Sequence, residues 1–168
     1  MLIKTPRLTI ADFTPEMAEA VHLGSLDEDT ARFLPDEVFP TTQDALETLE
    51  FLISCYGGND GPFVHPFLLP DGTYAGYVQL VPMEESWEVG YHTIATCTGR
   101  GYATEALSAF LPVVSRLYGV TSVEGVCDAE NVASIRVLEK CGFHHVFAGV
   151  APYQGNLRPV VRLHADLG

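Results

Sequence analysis

The chain is short of positive charge. Its 168 residues include 9 Lys and Arg against 22 Asp and Glu, which gives a net charge of −13 at pH 7. Because a nucleic-acid-binding surface must neutralise phosphates with basic side chains, this composition argues against general nucleic-acid binding. Acidity of this kind mainly keeps a protein soluble, and it would also steer a cationic substrate toward the surface.

Long apolar runs and paired cysteines are missing as well. No uncharged apolar run approaches the roughly 18 residues of a membrane span. The N-terminal segment carries Lys4, Arg7 and Asp12 and has no long apolar stretch like that of a signal peptide. We therefore expect a cytoplasmic protein without membrane association. The four cysteines form no CxxC pair and no zinc-ligand set, so we expect no bound metal.

What is present fits one globular domain that spans residues 1–168. Hydrophobic residues make up 47% of the chain and charged residues 18%, which is a globular composition. Hydrophobic periodicity predicts seven strands: Arg7–Phe13, His65–Leu69, Tyr74–Pro82, Trp87–Ile94, Thr121–Asp128, His145–Tyr153 and Arg158–Ala165. It predicts four helices: one from Thr14, one from about Thr41, one over about Tyr102 to Tyr118, and Val132–Cys141. This order indicates an α/β (α+β) fold, a mixed sheet with helices packed on it.

One segment combines the features of an anion-binding site. Residues 94–106 read IATCTGRGYATEA, so a strand runs into Gly99-Arg100-Gly101 and a helix follows at once. The first turn of a helix has unpaired N–H groups and a partial positive charge. The two glycines allow a phosphate to approach the backbone closely, Arg100 adds a full charge, and Thr104 offers a hydroxyl.

The glycine spacing alone leaves the phosphate ligand open. A Walker A loop needs Gly-Lys-Ser/Thr after four spacer residues, and that sequence is absent. A dinucleotide fingerprint needs Gly or Ala where this chain has Thr104. A short GxG can also be no more than a tight turn between a strand and a helix.

Two further blocks make the pattern more specific. Glu88-Val89-Gly90-Tyr91 precedes the glycine-rich segment, and Asn131-Val132-Ala133-Ser134 with residues 137–143 (VLEKCGF) follows it. In this order the blocks resemble the GNAT N-acetyltransferases, and most of all the branch that contains the ribosomal-protein N-terminal acetyltransferases. The resemblance is good from about Trp87 to Phe143. One departure is Thr96, where the superfamily often has Arg or Gln.

The resemblance implies a fold and a cofactor. The fold would be GNAT-like: a largely antiparallel central sheet of about seven strands with about four helices, splayed between the strands that contain Glu88 and Asp128. The pantetheine arm of acetyl-CoA would lie in that opening, and its pyrophosphate would bind the N–H groups of the glycine-rich segment. The cofactor-binding residues implied are Thr93, Ile94, Gly99, Arg100, Gly101, Tyr102, Ala103, Thr104 and Asn131.

The chemistry of acyl transfer suggests the catalytic candidates. The attacking amine must be a free base, and at pH 7 this costs about 4–5 kcal/mol for a lysine but only about 1 kcal/mol for a terminal α-amine. Glu88 is the first candidate base, directly or through water; it could equally be an exposed strand carboxylate. His92 shares the strand face of Glu88 if no bulge intervenes.

The acid that protonates the leaving thiolate is often a Tyr in related enzymes, but Leu138 stands there. Ser134 is the substitute candidate for this acid. Its other interpretation is structural: Asn131 caps the helix, and Ser134 only supplies an early backbone N–H to that cap.

These features favour an N-acetyltransferase that transfers an acetyl group from acetyl-CoA to a primary amine by direct attack in a ternary complex. The acceptor would be a protein N-terminus or a small-molecule amine, and the protein would be a monomer or a homodimer. Thr96 and Leu138 leave open a second interpretation, an acyl-CoA-binding module without catalysis. Turnover of acetyl-CoA with a panel of amines separates the two.

Overall fold

An eight-stranded sheet forms the centre of the molecule, which we describe from a computed structural model of residues 1–168. The strands are β1 (Ile3–Lys4), β2 (Thr9–Ile10), β3 (Phe63–Leu68), β4 (Tyr74–Pro82), β5 (Trp87–Thr93), β6 (Ser122–Asp128), β7 (His144–Tyr153) and β8 (Asn156–Asp166). The helices are α1 (Ala18–Gly24), α2 (Glu28–Phe33), α3 (Thr42–Cys55), α4 (Tyr102–Tyr118) and α5 (Val132–Lys140). The sheet order is β1-β2-β3-β4-β5-β6-β8-β7, and every neighbouring pair is antiparallel except β5 and β6.

The parallel pair β5 and β6 opens along its length. The two strands are paired only where Glu88 meets Glu124 and Val89 meets Gly125. Beyond these pairs, β5 stays bonded to β4 and β6 stays bonded to β8 as far as Asp128. The sheet therefore splits into two arms, which confirms the predicted mixed, largely antiparallel and splayed sheet.

The helices cover the two faces of the sheet and divide the core in two. The larger core packs α4 and α5 against one face, with Leu107 and Phe110 of α4 fully buried. The smaller core packs α1 and α3 against the other face, with Ala45 and Leu49 of α3 buried. Strand residues alternate between the cores because successive side chains of a strand point to opposite faces.

Local signals explain where the long helices begin and end. The hydroxyl of Thr41 accepts the backbone N–H of Asp44 at 3.1 Å and donates to its carboxylate at 2.8 Å. Thr41 therefore caps the first turn of α3, at the residue where the sequence places the start of this helix. Helix α4 is preceded by Gly101 and followed by Gly119, whose φ angles of +79° and +66° lie in the left-handed region. Glycine adopts that region without steric cost.

The N-terminal quarter differs from the prediction. The strand expected at Arg7–Phe13 is only β2, and the short β1 adds an eighth strand. Thr14 makes no side-chain cap, since a 3₁₀ turn over Pro15–Met17 precedes α1. Helix α2 was not predicted, although Asp27 caps it through the N–H of Thr30. A six-residue helix is too short for hydrophobic periodicity to reveal it.

Helices of this protein are all too short or too polar to span a lipid bilayer.

Candidate active site

A cavity of about 490 Å³ fills the opening between the two arms of the sheet. Its walls come from β5 and β6, from the first turn of α4, from α5, and from the segment that contains α2. The predicted site residues that line it are Glu88, Thr93, Gly99, Gly101, Tyr102, Ala103, Thr104, Asn131 and Ser134. The fold thus brings together residues from β5, from the start of α4 and from the start of α5 at the place where the sheet splits.

The first turn of α4 presents a row of free donors to this cavity. None of the backbone N–H groups from Gly99 to Thr104 has an acceptor within the protein, and the ladder of the helix begins with Glu105 bonded to Gly101. The φ angles of Gly99 and Gly101 are +76° and +79°, a conformation that other residues adopt at a cost of about 1–2 kcal/mol. These donors and the helix dipole make a cradle for a phosphate group.

A distant arginine holds the cradle from behind. The guanidinium of Arg7 donates to the carbonyl of Arg100 at 2.7 Å and to the carboxylate of Glu105 at 2.7 Å. Burial raises the pKa of Glu105, but hydrogen bonds from Thr5 and Arg7 outweigh it and hold the pKa below its usual value. The loop before α4 is therefore fixed by an ion pair between residues 98 positions apart in the sequence.

Two of the predicted cofactor residues lie differently from the others. Arg100 is exposed and is not part of the cavity wall. Ile94 is also outside the wall, and its N–H is bonded to the carbonyl of Ala75 at 2.9 Å. Because alternate residues of an antiparallel strand turn their backbone groups to opposite sides, the backbone groups of Tyr91 and Thr93 are the ones that face the opening.

Two cations that the sequence analysis missed line the cavity. Arg136 and Lys140 lie one turn apart on α5. The thiol of Cys141 approaches the carbonyl of Thr104 at 3.7 Å, so this part of α5 lies beside the first turn of α4. The i, i+4 spacing of two cations on one helix face was the available signal.

Ser134 takes part in a directed chain of hydrogen bonds. Its N–H is capped by the side chain of Asn131 at 3.4 Å, and its hydroxyl donates to the hydroxyl of Tyr91 at 3.0 Å. The hydroxyl of Tyr91 in turn donates to the backbone carbonyl of Ser134. Burial raises the pKa of the Cys127 thiol, which therefore stays protonated and donates to the Ser134 hydroxyl at 3.2 Å. Tyr91 was also missed, because it lies on the opposite face of β5 from Glu88.

Glu88 is a partly buried carboxylate without a partner in the protein. It forms no ion pair and accepts no hydrogen bond, whereas Glu124, its neighbour across the strand pair, lies 3.7 Å from Arg162. Burial, followed by the charge of Glu124, raises the pKa of Glu88, and Arg162 lowers it. A carboxylate that lines a cavity, lacks a partner and has a raised pKa has the properties of a general base.

His92 lies on the same strand face and has a defined tautomer. Thr30 donates its hydroxyl to Asp27 at 2.6 Å, so its oxygen must accept from Nε2 of His92 at 2.8 Å. The pKa of His92 is lowered by burial, and the charge of Asp27 only partly offsets this. A neutral His92 with the proton on Nε2 leaves Nδ1 free as an acceptor.

Another carboxyl in the cavity comes from a segment in which the sequence indicated no site residue. Glu37 accepts a hydrogen bond from the hydroxyl of Tyr77, whose ring stacks on that of His92 at 5.6 Å. Burial, followed by the charge of Asp36, raises the pKa of Glu37 to about 7.

No group of three or more His, Cys, Asp or Glu side chains is arranged to hold a metal ion.

A parallel strand pair that splays over the N-terminus of a glycine-capped helix defines an acyltransferase site of the GNAT type. The sequence pattern of the family described as the acetyltransferase (GNAT) domain matches residues 7–144 of this chain. The chain therefore belongs to the GNAT acetyltransferase family.

Relatives and solved structures agree with this assignment. An uncharacterized N-acetyltransferase of Bacillus subtilis (strain 168), YnaD, is 29% identical over 145 residues, which cover 84% of this chain and 82% of the relative. An acetyltransferase (GNAT family) from Bacillus anthracis has a TM-score of 0.85 at 24% identity, over 99% of this chain and 98% of the other. RimL, a ribosomal alpha-N-protein acetyltransferase in complex with coenzyme A, has a TM-score of 0.83 at 17% identity, over 99% and 98% of the two chains. The ribosomal-protein acetyltransferases named by the resemblance are thus among the structures that share this fold.

Proposed function

We propose that this protein is an N-acetyltransferase that transfers the acetyl group of acetyl-CoA to a primary amine by direct attack in a ternary complex. The observation that carries the proposal is the row of free N–H groups from Gly99 to Thr104 at the mouth of the splayed strands. Such a cradle suits a pyrophosphate, and RimL, which shares the fold, is in complex with coenzyme A. The protein would act as a single domain.

The cavity residues divide the work of holding the cofactor. The N–H groups of the first turn of α4 would bind the pyrophosphate, and Arg136 and Lys140 would add positive charge from α5. The free backbone groups of Thr93 would pair with the pantetheine amides in the manner of an added strand. The side-chain nitrogen of Asn131 has no partner in the protein and offers one more donor.

Glu88 would take the proton of the acceptor. The amine nitrogen forms a bond to the carbonyl carbon of the acetyl group, the carbon–sulfur bond breaks, and the thiolate leaves. The proton lost by the amine goes to the carboxylate of Glu88, which has no competing partner. His92 Nδ1 is the alternative acceptor of that proton, since its Nε2 is bonded to Thr30.

Ser134 would return a proton to the thiolate. Its hydroxyl donates to Tyr91 and accepts from Cys127, so giving up a proton requires its hydrogen to turn from Tyr91 toward the sulfur. Solvent then restores the proton of the Ser134 hydroxyl, since burial raises the pKa of the Cys127 thiol and keeps its proton in place. A coenzyme A thiol is acidic enough for its thiolate to leave without full protonation, so a strong acid is not essential.

One observation favours the alternative of a binding module without catalysis. Leu138 stands where related enzymes often have a tyrosine, and it is buried against Gly125. The module would keep the phosphate cradle and lose turnover.

A two-part experiment tests the proposal. Isothermal titration with coenzyme A measures binding, and incubation with acetyl-CoA and a panel of amines, with mass detection of acylated products, measures transfer. Binding together with an acetylated amine is the expected result. Binding without any product would establish the module, and absence of binding would refute both.

A further inference from the structure

The charged side chains of the cavity are separated by sign. Both of its cations, Arg136 and Lys140, lie on α5 beside the phosphate cradle. The carboxyl groups lie at the other end, which we call the acceptor end; its charged residues are Asp27, Asp29, Glu37 and Glu88. A molecule bound at that end meets carboxyl groups and no cationic side chain of the cavity wall.

The acceptor end offers no cationic side chain to an anion. The three arginines of this region, Arg32, Arg158 and Arg162, are outside the cavity wall and are already engaged, Arg162 with Glu124 at 3.7 Å. Arg158 bonds to the carbonyl of Arg32 at 2.8 Å and to Asp128 at 3.3 Å, while Arg32 pairs with Glu130 at 2.6 Å. A carboxylate or phosphate on the acceptor would therefore be desolvated without a partner, which is unfavourable.

Two carboxyls, Glu37 and Glu88, share the acceptor end from different walls. Glu88 projects from β5, whereas Glu37 projects from the segment between α2 and α3. Tyr153 lines the same cavity, and burial, followed by the charges of Cys127, Glu37 and Glu88, raises the pKa of its hydroxyl. That hydroxyl lines the cavity and makes no hydrogen bond in the protein, so it remains available to a ligand.

The two carboxyls differ in their surroundings. Glu88 has no partner, which suits proton acceptance, whereas Glu37 is fixed by the hydroxyl of Tyr77 and is brought close to Asp36. A buried carboxyl next to a like charge is stabilised as the anion when a cation binds beside it. Glu37 is thus arranged to hold a positive charge in place rather than to exchange protons during turnover.

We infer that the acceptor carries a second positive charge, that Glu37 receives this charge, and that the reacting amine lies toward Glu88. The acceptor class is therefore a diamine or a longer polyamine, with no anionic group near the reacting nitrogen. This inference rests on the proposed function, because it assigns a specificity to the acceptor end of the same cavity.

Three acceptors of equal chain length test the inference: 1,4-diaminobutane, butylamine and 4-aminobutanoate. Their far ends are a cation, a methyl group and an anion. We expect kcat/KM to fall in that order. Glu37→Gln should reduce the preference for the diamine over butylamine by roughly tenfold or more, since a hydrogen bond to a charged group is lost, and should leave coenzyme A affinity unchanged.

Asp36→Asn is the matched control. It removes the same charge one residue away, from an exposed side chain outside the cavity wall. Because the charge of Asp36 raises the pKa of Glu37, its removal favours the Glu37 anion and should retain or strengthen the preference. Equal use of the three acceptors, or an unchanged preference in Glu37→Gln, would overturn the inference while acetylation itself supports the proposed function.

If none of the three is acetylated, the amine panel alone decides the proposed function, and the charge preference is measured by binding. Titration of the coenzyme A complex with 1,4-diaminobutane and with 4-aminobutanoate decides it. Tighter binding of the diamine, weakened in Glu37→Gln, supports the inference. Equal binding, or no binding of either compound, contradicts it.

Discussion

The phosphate cradle allows a prediction that separates the effect of an added charge from the effect of an added side chain. Gly99 has φ of +76°, and a Cβ built on it meets no atom within 4 Å. Replacement by Asp or Asn therefore causes no clash, and the cost of the left-handed conformation, about 1–2 kcal/mol, applies to both. Asn and Asp are also the residues that tolerate this conformation best after glycine. The two variants differ only in charge.

The expected effect follows from the position of the new charge. Two unit charges about 6 Å apart interact by about 3 kcal/mol at an effective dielectric constant of 20. Because Gly99 is exposed, we halve this for solvent screening. The remaining 1.4 kcal/mol or so corresponds to about a tenfold higher Kd for coenzyme A in Gly99→Asp than in Gly99→Asn.

Isothermal titration at low and high salt is the assay, after thermal melts have shown that both variants are folded. The difference between them should shrink as salt screens it. Pantetheine, which has no phosphate, should bind both variants equally. Equal coenzyme A affinity of the Asp and Asn variants would refute the assignment of this loop to the phosphates.

Three further predictions concern the base, a helix cap and a packed pair. Glu88→Gln should lower kcat for a lysine-like acceptor at pH 7 by about 10²–10⁴, and less for an α-amine. Because burial raises the pKa of Glu88, wild-type kcat/KM should fall as the pH decreases through a value above the ordinary pKa range of Glu. The pH–rate profile of Glu88→Gln should lack this step. An unchanged kcat and pH profile in the variant would exclude Glu88 as the base. Thr41→Ala should lower the free energy of unfolding, measured with urea, by about 1 kcal/mol. Thr42→Ala, at a neighbouring hydroxyl that does not cap the helix, is the control, and an equal loss in both variants would contradict the cap. A Cβ at Gly125 would lie 2.7 Å from a methyl of Leu138, so Gly125→Ala should destabilise the protein by about 1–3 kcal/mol. A double-mutant cycle with Leu138→Ala should show coupling between the two residues, and simple additivity of the two free-energy changes would contradict the contact.

Patterns that repeat along the chain were predictable from the sequence. The alternation of β5 placed Glu88 and His92 on one face, and the Gly-Arg-Gly turn located the start of α4 to the residue. Both depend on residues close together in the sequence. The splay of the sheet came from the resemblance, because no local pattern tells two paired strands where to separate.

Contacts between distant segments could not be predicted in this way. Arg7 was assigned to a strand, yet its side chain supports the loop at Arg100. Glu37 lies in a short irregular segment and reaches the cavity only because α2 folds over β5. That placement depends on Thr30, whose hydroxyl links Asp27 to His92. Each of these contacts joins residues more than 40 positions apart or depends on one that does.

The contrast between local patterns and contacts of distant segments explains why the cofactor half of the site is easier to derive from the sequence than the acceptor half. Backbone N–H groups bind phosphate whatever their side chains, so the requirement is a local geometry that two glycines supply. The acceptor recognition that we propose depends on side chains brought together by tertiary structure: Glu88 from β5, Glu37 from an irregular segment and Tyr153 from the end of β7. A change in one of these residues would alter acceptor choice and leave the cradle intact. The proposed acceptor specificity of this protein therefore rests on residues that no contiguous motif contains.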